Sequence, residues 1–123
     1  MKKEILSLTA FLGGVGVIIG ALAAHALKNK LSAHNLNNVH TAVLYQMMHV
    51  LAIFGISALH ALSNQAKNRI AFLFLLGVFL FSGSIYLISI FGVNPQKNWF
   101  ITPLGGLLFI MGWFYAAFAL FQK

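Results

Sequence analysis

Ile70–Val93 reads IAFLFLLGVFLFSGSIYLISIFGV, twenty-four residues without one charge. Coiled as an α-helix, this stretch is about 36 Å long at 1.5 Å per residue, more than the ~30 Å hydrocarbon core of a bilayer. It shows no period-2 alternation, and an open strand cannot satisfy its backbone in lipid, so a helix is the spanning form that remains. Three further apolar runs flank it: Ile5–Leu27, Thr41–Leu62 and about Pro103 to Phe121. Each is near the length of a membrane span. Together they predict an all-α integral membrane bundle of four transmembrane helices, in a single domain covering residues 1–123.

Composition agrees. Of 123 residues, 60% are hydrophobic and 7% charged, against roughly 25% charged in a soluble domain. A water-soluble fold could not cover its surface with so few charges. The net charge of +7 is no sign of nucleic acid, because the basic residues stand singly or in pairs between the apolar runs. That is where the loops of membrane helices carry them, and anionic lipid headgroups are their natural partners. No cysteine is present, which excludes disulfides, thiolate metal ligands and cysteine nucleophiles.

Local signals set the expected boundaries. Thr102-Pro103 reads as an N-cap followed by proline at the first helical position. Asn94-Pro95 breaks the third helix, and Trp99 beside it suits a membrane interface. Ser63–Arg69 (SNQAKNR) reads as a short polar hairpin. In residues 32–40, Ser32 suits an N-cap, and Leu36, Val39 and Val43 fall at helical spacing. This predicts an amphipathic, interfacial segment running on into the second helix.

With both termini cytoplasmic, Lys2, Lys3, Lys67, Arg69 and Lys123 lie inside, and Lys28, Lys30 and Lys97 outside. Five against three favours that orientation by the positive-inside rule. Lys2 and Lys3 ahead of an apolar run, with Ala21, Ala23 and Ala24 after it, also resemble a signal peptide. The run is long and carries Gly13, Gly14, Gly16 and Gly20, so the first helix is expected to be retained.

Small residues mark the expected packing faces. Gly16, Gly20 and Ala24 are four apart on the first helix, a ridge that lets another backbone approach. Gly112 and Ala116 repeat the spacing on the fourth, where Gly105 and Gly106 follow Thr102-Pro103. Gly77, Ser82, Gly83 and Ser84 lighten the third.

One polar constellation interrupts the apolar runs. Thr41, Tyr45 and His49 are four apart and form a stripe on the second helix, with Gln46 beside it. His49 lies about 12 Å along the helix from Thr41, a depth at which ionisable groups face the bundle interior and often mark function. His25, ending the first helix, is expected on the same side of the membrane as the start of the second, within approach of Tyr45 or His49. His34 and His40 read as interfacial, His60 as a headgroup-level residue. A satisfied structural network ranks first for the cluster, then a ligand-binding or proton-linked site, then a metal site. Two histidines on facing helices are the arrangement that would hold a haem iron, and haem or a quinone is the kind of group such a cluster would take. No cofactor is expected, and no zinc-type spacing or carboxylate partner is present.

Absences narrow the function further. Glu4 is the sole acidic residue and the chain has no Asp, so carboxylate pairs and a Ser-His-Asp triad are impossible. An intramembrane acid for proton coupling is also missing. Catalysis would have to rest on His and Tyr alone, acting on a lipid-soluble substrate, so an enzyme is not expected.

Four segments carry a family resemblance over nearly the whole chain: Gly20-Ala-Leu-Ala-Ala-His-Ala-Leu27, Thr41-Ala-Val-Leu-Tyr-Gln-Met-Met-His49, Gly83-Ser-Ile-Tyr-Leu87, and Thr102-Pro-Leu-Gly-Gly106 with Gly112-Trp113 beyond. The string TAxxYQxxH inside an apolar run is the most specific of them. In these segments the sequence resembles the domain of unknown function 423 family, small four-helix membrane proteins related to transmembrane protein 256. Ala23 stands where that family often has a second glycine, and alanine keeps the site small. The resemblance implies a four-helix inner-membrane protein without an established activity, and its motif falls on His25, Tyr45, Gln46 and His49. The expected function is a non-enzymatic component that binds a lipid, a lipophilic cofactor or a larger membrane complex. A homo-oligomer is one form of such an assembly, and a small oligomeric transporter or channel is the alternative.

Overall fold

The computed structural model describes residues 1–122. Lys123, counted among the inner cations, lies outside the described residues. Among them the elements are helices: α1 (Lys3–Ala24), α2 (Ala33–Ala58), α3 (Asn64–Ser89), a single turn α4 (Pro95–Asn98) and α5 (Ile101–Gln122). Four stretches are long and apolar enough to cross a membrane, α4 and α5 forming one of them together.

Local chemistry explains where each helix starts. The Ser32 hydroxyl accepts from the Asn35 N–H at 3.1 Å, and that of Ser63 from the Ala66 N–H at 3.1 Å. Each satisfies one of the first-turn amides that have no partner inside a helix. Helix α2 therefore begins at Ala33, and residues 33–40 form its first turns, continuous with the span. It ends at Ala58, short of the expected Leu62, because the chain must turn to reach the Ser63 cap. His60 lies in that turn. The expected hairpin 63–69 is instead the start of α3. There Lys67 turns back, its Nζ donating to the Ser57 carbonyl at 3.0 Å, one of the carbonyls α2 leaves unpaired at its end.

At its other end α3 stops at Ser89, before Asn94-Pro95. Gly92 takes φ +74°, a left-handed conformation that costs a glycine little. This folds the chain back so that the Val93 N–H reaches the Leu87 carbonyl at 3.0 Å. Asn94 then caps α4, its side-chain oxygen accepting from the Gln96 N–H at 2.8 Å. Helix α5 starts at Ile101, so Pro103 sits within the first turn, where its missing N–H leaves no bond unmade. Thr102 does not act as a cap. Its hydroxyl is shared with Ser84 of α3 at 2.5 Å.

Successive long helices are packed neighbours: α1 on α2, α2 on α3 and α3 on α5, with a smaller contact between α1 and α3. Helix α3 is the core element and buries Ile70, Ala71, Phe74, Gly77, Val78 and Ser82. Lipid is as apolar as leucine, so close packing and hydrogen bonds between helices hold the bundle. The tightest seam is between α3 and α5. Phe109 covers Gly77 and Phe74 covers Gly112, so a Cβ at either glycine would meet ring carbon at 2.6 or 2.5 Å. A Cβ on Gly105 would run into the α3 backbone at Leu80 and Phe81. Ala116 is buried on the same face.

The first helix uses its ridge in part. A Cβ on Gly16 would lie 2.6 Å from the Met47 sulfur, and one on Gly20 3.5 Å from Val43. Ala24 is exposed at the helix end and Ala23 takes the buried position. Gly83 faces open space, where a Cβ would find nothing within 4 Å, so the α3–α5 contact is carried by Gly77 and by Ser84.

Candidate functional site

Gln46 and His49 are the buried polar side chains of α2, 1% and 2% exposed. They point to different neighbours. The Gln46 amide nitrogen donates to the Leu12 carbonyl of α1 at 2.6 Å. Its oxygen accepts from the Tyr86 hydroxyl of α3 at 2.6 Å. One side chain thereby ties three helices. The approach to α1 is possible because Gly16 lies beneath it: a Cβ there would come within 3.2 Å of the Gln46 nitrogen. Ser82 adds a further tie, its hydroxyl donating to the Ala42 carbonyl at 2.7 Å.

His49 faces α5. Its Nδ1 is 2.7 Å from the Tyr45 carbonyl, and its Nε2 accepts from the Trp113 indole N–H at 3.0 Å. A carbonyl can only accept and an indole N–H can only donate, so these partners assign the Nδ1–H tautomer. The ring lies flat on Phe109, with centroids 3.7 Å apart and planes 11° apart, and meets Phe74 edge-on at 4.9 Å. Both ring nitrogens are used within the protein, which leaves no lone pair on His49 for a metal.

The expected cluster is thus partly assembled. Tyr45, Gln46 and His49 share one region. Thr41 stands apart, its hydroxyl donating to the Asn37 carbonyl at 3.2 Å. His25 is the exposed C-cap of α1. Leu12 marks the level of Gln46, and His25 is thirteen residues further along, about 20 Å at the helical rise. The structure therefore does not bring His25 to Tyr45 or His49, and the pair cannot clasp a haem iron. Among the described residues, no group of three or more His, Cys, Asp or Glu side chains gathers to hold a metal ion.

Two members of the network, Tyr86 and Trp113, stand in the family-like segments but were not expected in the polar cluster. Each carried a signal. Trp113 lies some ten residues, about 15 Å, into its run, too deep for an interfacial tryptophan, so its N–H needs an acceptor. The Tyr86 hydroxyl inside an apolar run has the same need.

Beside this network a lateral groove of about 480 Å³ opens between α2 and α5. Tyr45, Met48, His49, Gly106, Phe109 and Trp113 are among its walls. Tyr45 is 38% exposed there. Its ring packs on Phe81 at 5.0 Å and near Phe109 at 6.1 Å. The Tyr45 hydroxyl has no hydrogen-bond partner among the described residues, whereas those of Tyr86 and Tyr115 both do. The groove is apolar and aromatic.

Comparison with known proteins places the chain among relatives. The family model described as "Protein of unknown function (DUF423)" matches residues 19–106. A UPF0382 membrane protein of Haemophilus influenzae is 39% identical over all of this chain and 98% of its own length. The UPF0382 membrane protein SSP2132 of Staphylococcus saprophyticus is 36% identical over 90% of this chain and 91% of its own. The UPF0382 inner membrane protein YgdD of Escherichia coli K12 is 36% identical over 91% of this chain and 85% of its own. No solved structure matches. Four apolar helices, and relatives named as membrane proteins that match over 85% to 98% of their own length, lead to one conclusion: this chain is a multi-pass membrane protein and belongs to the DUF423 family.

Proposed function

We propose that the protein is a non-enzymatic membrane component that holds a lipophilic molecule in the lateral groove between α2 and α5. One observation carries this reading. Tyr45, whose hydroxyl has no partner among the described residues, lines an apolar groove of about 480 Å³, while every buried side-chain nitrogen and oxygen among the described residues is hydrogen-bonded within the protein. A hydroxyl donor at hydrocarbon depth gains most from an acceptor brought in by an apolar ligand, since water is scarce there. The occupant is a lipid or lipophilic ring that carries a carbonyl or ester oxygen and is flat enough to lie along Tyr45 and Phe109. The buried Gln46–Tyr86 and His49–Trp113 pairs act as the rigid floor of this groove rather than as reacting groups.

Both termini are assigned to the cytoplasmic side. The support is the excess of Lys and Arg at that end and the docking of the Met1 amine on Asn64 at 3.2 Å, which sets the start of α1 beside the α2–α3 turn.

Native mass spectrometry of protein released from a mild detergent tests the ligand reading. The wild type should carry a lipophilic adduct. Gly106→Leu, which fills the groove, should lose it, and Tyr45→Phe should weaken it. Wild-type protein free of adduct, or a Gly106→Leu variant carrying the same adduct, would defeat the proposal.

A further inference from the structure

We propose that a second groove, between the start of α3 and the end of α5, is a binding site for an anionic phospholipid, with Arg69 as the ligand of its phosphate. It is separate from the α2–α5 groove and stands without it. Gln65, Asn68, Arg69 and Phe72 recur at helical spacing and so share one face of α3. With Leu73 and Tyr115 they line a groove of about 410 Å³.

Arg69 is held in place by a neutral partner, its Nη1 donating to the Tyr115 hydroxyl at 3.1 Å. That bond orients the guanidinium without cancelling its charge, and the remaining N–H groups suit the forked geometry of a phosphate. The amino terminus docks on the neighbouring face of α3, where Met1 and Lys2 line a surface with Asn64 and Asn68. The Lys2 N–H donates to the Asn68 side-chain oxygen at 3.4 Å, and the Met1 amine to Asn64 at 3.2 Å, so the amino terminus and Lys2 stand beside the wall that Asn68 forms. Glu4, the one acidic side chain, lines a different surface with Lys3, Ser7, Leu8 and Phe11.

Depth separates a lipid from a free anion. Arg69 is six residues beyond the Ser63 cap, about 9 Å along the helix, at the level where headgroups meet hydrocarbon. Phe72 and Leu73 lie up to a turn deeper and offer an apolar wall that acyl chains would cover and inorganic phosphate would not. A charged fork over an apolar wall, at that depth, fits a phosphate ester with an attached chain.

The test uses the full chain, stripped of lipid in a mild detergent and titrated with phosphatidylglycerol, phosphatidylcholine or inorganic phosphate, with native mass spectra read for the first adduct. Phosphatidylglycerol should bind about fivefold tighter than phosphatidylcholine, the order expected from one cation near a headgroup. Arg69→Gln should erase that preference, and Arg69→Lys should keep part of it. Phe72→Ala should weaken both lipids alike. Inorganic phosphate should not displace phosphatidylglycerol. Tyr45→Phe should leave the preference unchanged, which separates this site from the α2–α5 groove. Arg69 is exposed, so its replacement costs no packing, and circular dichroism checks that the fold is kept. An Arg69→Gln protein with wild-type preference would overturn the proposal, as would a wild type without preference. Displacement by inorganic phosphate would equally overturn it, in favour of a site for a free anion.

Discussion

Gly105 and Gly83 look alike in the sequence, since both are glycines of the family-like segments, yet the structure gives them opposite fates on substitution. A Cβ on Gly105 would come within 2.8 Å of the Leu80 carbonyl carbon and the Phe81 Cα. Carbon atoms prefer about 3.5–4.0 Å, so α3 and α5 must part there by about 1 Å. The obstacle is backbone, which cannot rotate away as a side chain can. The same movement would loosen Phe109 on Gly77 and Phe74 on Gly112, contacts on the same seam. Overpacking costs about 1–3 kcal/mol, and Gly105→Ala belongs at the upper end of that range. A Cβ on Gly83 meets nothing within 4 Å, and alanine favours a helix over glycine by up to about 1 kcal/mol. Gly83→Ala is therefore expected to be neutral or mildly stabilising. The assay is unfolding of the purified protein in mild detergent by rising SDS mole fraction, followed by tryptophan fluorescence. Gly105→Ala should unfold at clearly lower SDS than wild type. If Gly105→Ala matches wild type while Gly83→Ala unfolds early, the seam has been placed on the wrong glycines.

Other expectations concern the polar network and the orientation. Tyr86→Phe removes the donor to the Gln46 oxygen and should cost about 0.6 kcal/mol, the average for hydrogen bonds between membrane helices, and at most about 1.7 kcal/mol. Combining it with Gln46→Leu in the same SDS titration should give less than the sum of the single effects, because the pair is one interaction; strict additivity would contradict the bond. Trp113→Phe takes the hydrogen bond from His49 Nε2 and should cost about 1 kcal/mol, with a shift of the Nε2 resonance in nitrogen-15 spectra; an unmoved resonance would mean that the indole is not its partner. For orientation, a cysteine at Lys28 should react with a membrane-impermeant maleimide in intact cells and one at Ser63 only after lysis. The reverse pattern would invert the topology.

The spans were legible from sequence because hydrocarbon thickness is a one-dimensional constraint: an uncharged run such as Ile70–Val93 has one way to cross. The caps at Ser32 and Ser63 are local chemistry too, although Ser63 stands in a polar run that does not single it out. The polar stripe pointed to the right helix, because Gln46 and His49 have no comfortable place in lipid. Which partners they take was not legible. Tyr86 and Trp113 lie 40 and 64 residues away in the chain, and helical periodicity speaks only of neighbours three or four residues apart.

Thus composition and period alone fixed a four-span, all-helical membrane protein and the residues whose polarity demands an explanation. Tertiary structure decided how those demands are met. It set His25 about 20 Å of helix from the level of Gln46, turned Thr41 back onto its own backbone, and chose Gly77 and Gly105 over Gly83 for the helix seam. The physical reason is that a small or polar residue states a need for a close neighbour, while the crossing of two helices determines which neighbour arrives.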